Sequence, residues 1–196
     1  MKTLQELLPL IRMRPELYMG ERSLSALWHL INGYQLGFVA CGGSIDPSQA
    51  LPDDFHEWVA YRLHFKESAS GWRNMILNVA TDEENALSRF FELYDEHAAR
   101  KAHVFAKLLD TQKTYCFGAE GHEKVERYPK SLSFVTYTPD PGFFVYSDEP
   151  GIPWHDRFYP LLDWFETFHN IERTQLTVID PETFARLNTD QPYRRD

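Results

Sequence analysis

Cysteine is scarce: the 196 residues carry only Cys41 and Cys116. Two thiols so far apart match no zinc-ligand spacing and build no disulfide framework, so both are expected to be reduced in a cytoplasmic protein. Long apolar runs are missing too. No stretch approaches the ~18 uncharged apolar residues of a membrane span, and the short run at 7–11 sits between Glu6 and Arg12 rather than behind the basic flank of a signal peptide. Positive charge is in deficit, with 20 Lys plus Arg against 29 Asp plus Glu and a net charge of −9. Holding phosphate backbones needs clustered cations, so neither nucleic acid nor membrane is expected as a partner. Catalytic signatures are absent as well. The chain contains no Gly-x-Ser-x-Gly and sets neither cysteine in an activating context.

Aromatic residues are abundant, at 15% with 14 Phe, 10 Tyr and 5 Trp. With 43% apolar and 25% charged residues, the composition is that of a globular chain. Its patterning changes period along the length. In the first half Thr3 and Glu6 fit a capping box, although Pro9 follows closely, and Ser23 stands ahead of Leu24, Leu27, Trp28, Ile31, Tyr34 and Phe38 at helical spacing. Asp53 and Asp54 sit at another helix start, where carboxylates suit the unpaired N–H groups. Trp72, Met75, Ile76 and Val79 suggest a short helix. Thr81 and Glu84 fit a second capping box, before a helix expected to continue past His103 to Leu109.

In the second half, 114–117 reads as a strand, 118–129 as an exposed loop, and 131–138 and 143–146 as a hairpin around Pro139-Asp140-Pro141-Gly142. A helix over 156–169, a strand over 174–179 and a short helix capped by Asp180 complete the pattern. The expected fold class is α+β. A helical part, 1–110, would pack as one unit on a part, 111–196, made of a small sheet with one or two helices.

The string Arg14-Pro15-Glu16-Leu17-Tyr18-Met19-Gly20 resembles the Arg-Pro-Gly-Met-Tyr-Ile-Gly segment near the start of DNA gyrase B-type ATPases. Glu16-Leu17 stands where that family has Gly-Met, and the later Asp-x-Gly-x-Gly of its nucleotide pocket is absent, so no ATP-site residue carries over. The same string, followed by a Ser-Leu helix and an aromatic helical region, also resembles bacterial proteins, some of them encoded beside toxins. That resemblance implies a toxin-neutralising, immunity-like protein.

The eight histidines include no pair three or four apart on one helix, the spacing that two ligands on one face require. His56 and His64 are eight apart, and His97 and His103 six. Glu92, Asp95 and Glu96 read as a solvated helix face, so no metal or cofactor is expected. Gly33 and Gly37 suggest close helix packing. The acidic and aromatic groups Asp53, Asp54, Tyr146, Asp148, Glu149 and Trp154 suit a surface for a basic protein partner, captured electrostatically and anchored by rings. The expected function is therefore non-enzymatic binding, as an immunity-like inhibitor of a basic toxin. The alternative is a small hydrolase or transferase using His155 and Asp156, which follow Gly151-Ile152-Pro153-Trp154 in a loop.

Overall fold

The computed structural model describes all residues except 1, 67–68, 111–113, 118–123, 128–129, 138–141, 150–157 and 188–196, with backbone only at 114–117, 124–127 and 168. The fold is α+β, and the chain divides after Arg100 into two compact units.

The first unit is helical. Helix α1 (Leu4–Met13) begins at the capping box: Glu6 N–H donates to the Thr3 hydroxyl and Thr3 N–H donates to the Glu6 carboxylate. Leu4, Leu8 and Ile11 form its buried stripe. Pro9 forfeits one helical hydrogen bond, yet the helix runs through it. The distinctive Arg-Pro string becomes α2 (Pro15–Met19), with Pro15 in its first turn and Gly20 closing it at φ +80°.

Helix α3 (Leu24–Ala40) is capped by Ser23, whose hydroxyl accepts from Ala26 N–H. Helices α4 (Phe55–Leu63), α5 (Gly71–Val79) and α6 (Glu83–Ala99) follow. Phe55 and Phe90 meet edge to face at 5.5 Å in the core, and the buried Trp58 indole donates to Leu93 O. The cap of α6 is Asp82, which accepts from Asn85 N–H, rather than the expected Thr81, whose hydroxyl bonds Asp82.

The second unit is built on a five-stranded antiparallel sheet. Its strands are β1 (His103–Leu109), β4 (Ser131–Thr136), β5 (Phe143–Ser147), β6 (Phe158–Tyr159) and β7 (Leu176–Val178), in the order β6-β5-β4-β1-β7. A separate ribbon pairs β2 (Thr114–Phe117) with β3 (Lys124–Arg127). Helices α7 (Leu162–His169) and α8 (Pro181–Arg186) complete the unit. Phe105, Phe134, Phe143, Tyr159, Leu162 and Phe165 share its core, with Phe134 and Phe165 centroids 4.8 Å apart.

Three expectations change. The helix predicted to reach Leu109 stops at Ala99, because Arg100 turns extended and residues 103–109 pair with β4 and β7. Ala106, Lys107 and Leu108 suit a helix locally, but distant pairing decides their state. The loop expected over 118–129 contains β3, which closes a hairpin on β2. The helix expected to begin at Asp156 begins at Leu162. Phe158 and Tyr159 instead join the sheet beside β5, and Pro160 falls between strand and helix. The proposed cap Asp156 lies outside the described residues.

Candidate functional site

The described residues predicted for the partner surface are divided between the two units. Asp53 and Asp54 lie in the first, while Tyr146, Asp148 and Glu149 lie in the second. Trp154, His155 and Asp156 fall outside the described residues.

Asp148 follows β5, and its carboxylate binds its own sheet. Ser131 and Ser133 hydroxyls each donate to it at 2.6 Å, and Lys107 approaches at 3.4 Å. Burial pushes this carboxyl up, but the two hydroxyls and the Lys107 ammonium outweigh it and hold it low. Its role is to join β1, β4 and β5. Tyr146 meets the Tyr137 hydroxyl through its own, and Glu149 N–H donates to Ser147.

Asp54 makes no helix-capping bond, although it is the residue at the cap of α4. It crosses instead to the end of α6, where His97 Nε2 lies 2.7 Å and Arg100 Nη2 2.8 Å from its two oxygens. Arg100 Nη1 reaches His97 Nδ1 at 2.7 Å and also donates to His97 O. Guanidinium is only a donor, so Nδ1 accepts, and Nε2–H is the proton given to Asp54. Burial pushes the Asp54 carboxyl up, and the His97 hydrogen bond with the Arg100 charge more than reverses this. An Asp–His pair suggests acid-base chemistry, but both ring nitrogens are engaged inside a buried network and neither is left to take a substrate proton. Helical periodicity did not reveal this triad, because its members are 43 and 46 positions apart.

Asp53, next to it, behaves differently. It is exposed and borders a cleft of about 250 Å³ with Trp28, Asn32, Phe55, His56 and Trp72. Phe55 and Trp72 pack edge to face at 6.1 Å, and Trp72 continues to Phe90 at 5.2 Å, so the aromatic wall is anchored in the core. Arg73 already lies over the Trp28 ring at 5.3 Å. The opposite side is a loop held to its neighbours by named bonds. Leu4 and Gln5 N–H groups donate to Ser48 O, the Gln35 amide donates to Gln49 O, and Asp46 accepts from Ser48 N–H and hydroxyl. Neither the Asp53 nor the His56 side chain makes a hydrogen bond or ion pair among the described residues. Asp53 is thus a carboxylate left open at the mouth of a ring-lined cavity, where its neighbour Asp54 is wholly engaged.

A second concavity, about 190 Å³, lies beside Arg12, Pro15, Arg22 and Phe91. Its cations are neutralised from within: Arg12 by Asp95, and Arg22 by Glu16 and Glu84. Among the described residues no group of three His, Cys, Asp or Glu side chains gathers as a metal site, and no helix is long and apolar enough to cross a membrane. Comparison with protein-family models, with curated proteins and with solved structures finds no match.

Proposed function

We propose that the protein is a non-enzymatic binding protein, an immunity-like inhibitor acting in the cytoplasm, which receives a cationic side chain of a basic protein partner in the Asp53 cleft. The observation that carries this reading is the pairing of an uncommitted carboxylate with an indole wall in one cavity. A guanidinium or ammonium drawn from water onto such a ring gains about 2 kcal/mol, and a carboxylate beside it adds a charge-assisted hydrogen bond. Because Trp28 already carries Arg73, the incoming cation is assigned to Trp72 and Asp53. The net charge of −9 supports the same reading by drawing a basic partner toward the surface.

An arginine-rich peptide, titrated while following tryptophan fluorescence, tests it. Binding is expected to weaken steeply with added salt and to fall about tenfold or more in Asp53→Asn, with Trp72→Ala losing a similar factor. A glutamate-rich peptide of equal length is expected not to bind. Binding unchanged in Asp53→Asn, or indifferent to salt, would remove the cleft from the proposal.

A further inference from the structure

Arg62, Arg89, Arg100 and Arg173, with side chains 20–33% exposed, each hold a carboxylate at 2.7–2.9 Å. Arg73 of α5 is partly buried as well, yet it makes no hydrogen bond or ion pair among the described residues. Its Nε is shut off from water and has no acceptor. Its guanidinium lies over the Trp28 ring, which attracts the cation but offers the N–H groups no lone pair in return.

Glu83, at the start of α6, does not fill this role. Burial pushes its carboxyl up, and hydrogen bonds from Ser25 and Ser23, with the Arg73 charge, hold it low. Its oxygens are taken by both serine hydroxyls and the Ser25 N–H. Asp53 does not fill it either, although one indole serves both groups. Trp28 carries Arg73 and also walls the cleft that Asp53 borders. Two opposite charges thus stand around one ring, and neither is in an ion pair with the other or with any described residue. Opposite charges free to approach would pair; fixed apart, they present a pattern that a ligand with the reverse charges can match.

We infer that the partner segment entering the Asp53 cleft carries a carboxylate close to its cation, and that Arg73 receives this carboxylate while Asp53 and Trp72 receive the cation. The inference rests on the cleft reading given above and adds the chemistry that accompanies the cation. A ligand with positive charge alone would meet Arg73 as like against like and leave its N–H groups without an acceptor. The guanidinium fork matches a planar carboxylate, and its partial desolvation strengthens the charge-assisted bond. A phosphate, with its extra charge, is disfavoured by Glu83 nearby and by the net charge of −9. In an extended segment, side chains two positions apart lie on one side about 7 Å from each other, so a basic and an acidic residue at that spacing are the simplest match.

Two heptapeptides test this, each with a central arginine and otherwise glycine, one bearing glutamate two positions to either side and the other glutamine. They are titrated into the full chain while following tryptophan fluorescence, at about 0.15 M salt to screen distant charges. The native protein is expected to bind the glutamate peptide about fivefold or more tightly than the glutamine peptide. The overall charge of −9 favours the opposite order, so such a preference requires a local cation. Arg73→Gln is expected to abolish the preference and to bind the glutamine peptide at least as well as the native chain does. Arg73→Lys, which keeps the charge without the fork, is expected to retain only part of it. Asp53→Asn is expected to weaken both peptides by the same factor, with circular dichroism checking the fold of each variant. Equal binding of the two peptides by the native chain overturns the inference and leaves the cleft reading standing, whereas binding of neither removes both. A preference that survives Arg73→Gln also overturns it, as does inorganic phosphate displacing the glutamate peptide more strongly than acetate does.

Discussion

Asp54 stands at the first turn of α4, and its carboxylate is turned away from that helix to hold His97 and Arg100 at the end of α6. With its side chain only 11% exposed, removing it takes a carboxylate away from a nearly buried imidazole and a mostly buried guanidinium. Asp54→Ala is therefore expected to lower stability by about 3 kcal/mol, as for other broken buried pairs. A lost helix cap alone would cost about 1 kcal/mol. Urea unfolding at neutral pH separates the two, and a loss near the smaller figure would return Asp54 to a capping role. Asp53, one residue earlier, has no such work in the fold, so Asp53→Asn is expected to leave the same unfolding curve unmoved. The contrast between these neighbours is what isolates the cleft carboxylate as available for a partner.

Backbone conformation at the ends of elements yields a second contrast. Gly20 closes α2 at φ +80° and Gly142 leads into β5 at φ +100°, both conformations that side chains resist. A Cβ at Gly20 would meet nothing within 4 Å, whereas one at Gly142 would fall 2.3 Å from the buried Phe158 ring. Gly20→Ala is thus expected to cost about 1 kcal/mol from the backbone alone. Gly142→Ala is expected to cost about 3 kcal/mol or more, because overpacking adds to strain. Melting temperatures of the two variants check the ranking, and equal losses would contradict it.

Elements also show where local reading succeeds. Thr3 with Glu6, Ser23 and Asp180 all cap the helices they were read to cap, since a cap is a bond between residues two or three apart. Segment 103–109 reads locally as helix and forms a strand because its state depends on Val135 and Leu176, which no short window contains.

At the scale of the whole molecule, acid is the informative variable. Hydrogen bonds from Thr183 and His103 hold the Asp180 carboxyl well below the carboxylate range. Burial raises Asp54, Glu83 and Asp148, yet in each case the hydrogen bonds and nearby cations prevail and the net shift is downward. A carboxyl that is lower in the folded than in the unfolded chain contributes its stability fully above about pH 4 and loses it as pH falls through the folded value. Glu166 opposes this, because burial pushes it up and its protonation favours the fold. Glu16, bonded by Arg22, and Asp46, bonded by Ser48, are lowered as well, and six carboxyls against one make the expected outcome a melting temperature that drops between pH 5 and pH 3, about a carboxylate's range. Asp54→Asn should flatten that drop. A native melting temperature that holds steady over this range would show that these carboxylates do not govern acid stability.

Residue order alone determined the caps at Thr3, Ser23 and Asp180, the antiparallel hairpin of β4 and β5, the acidic excess and the α+β class, because each arises from neighbours in the chain or from simple counts. Only the tertiary structure decided which carboxylates remain open. Asp53 and Asp54 are chemically identical and adjacent, and what distinguishes them is an arginine and a histidine more than forty positions away that reach one and not the other. The same holds for Gly33 and Gly37: their spacing is plain in the sequence, but that nothing among the described residues fills the space above them is a property of the folded surface.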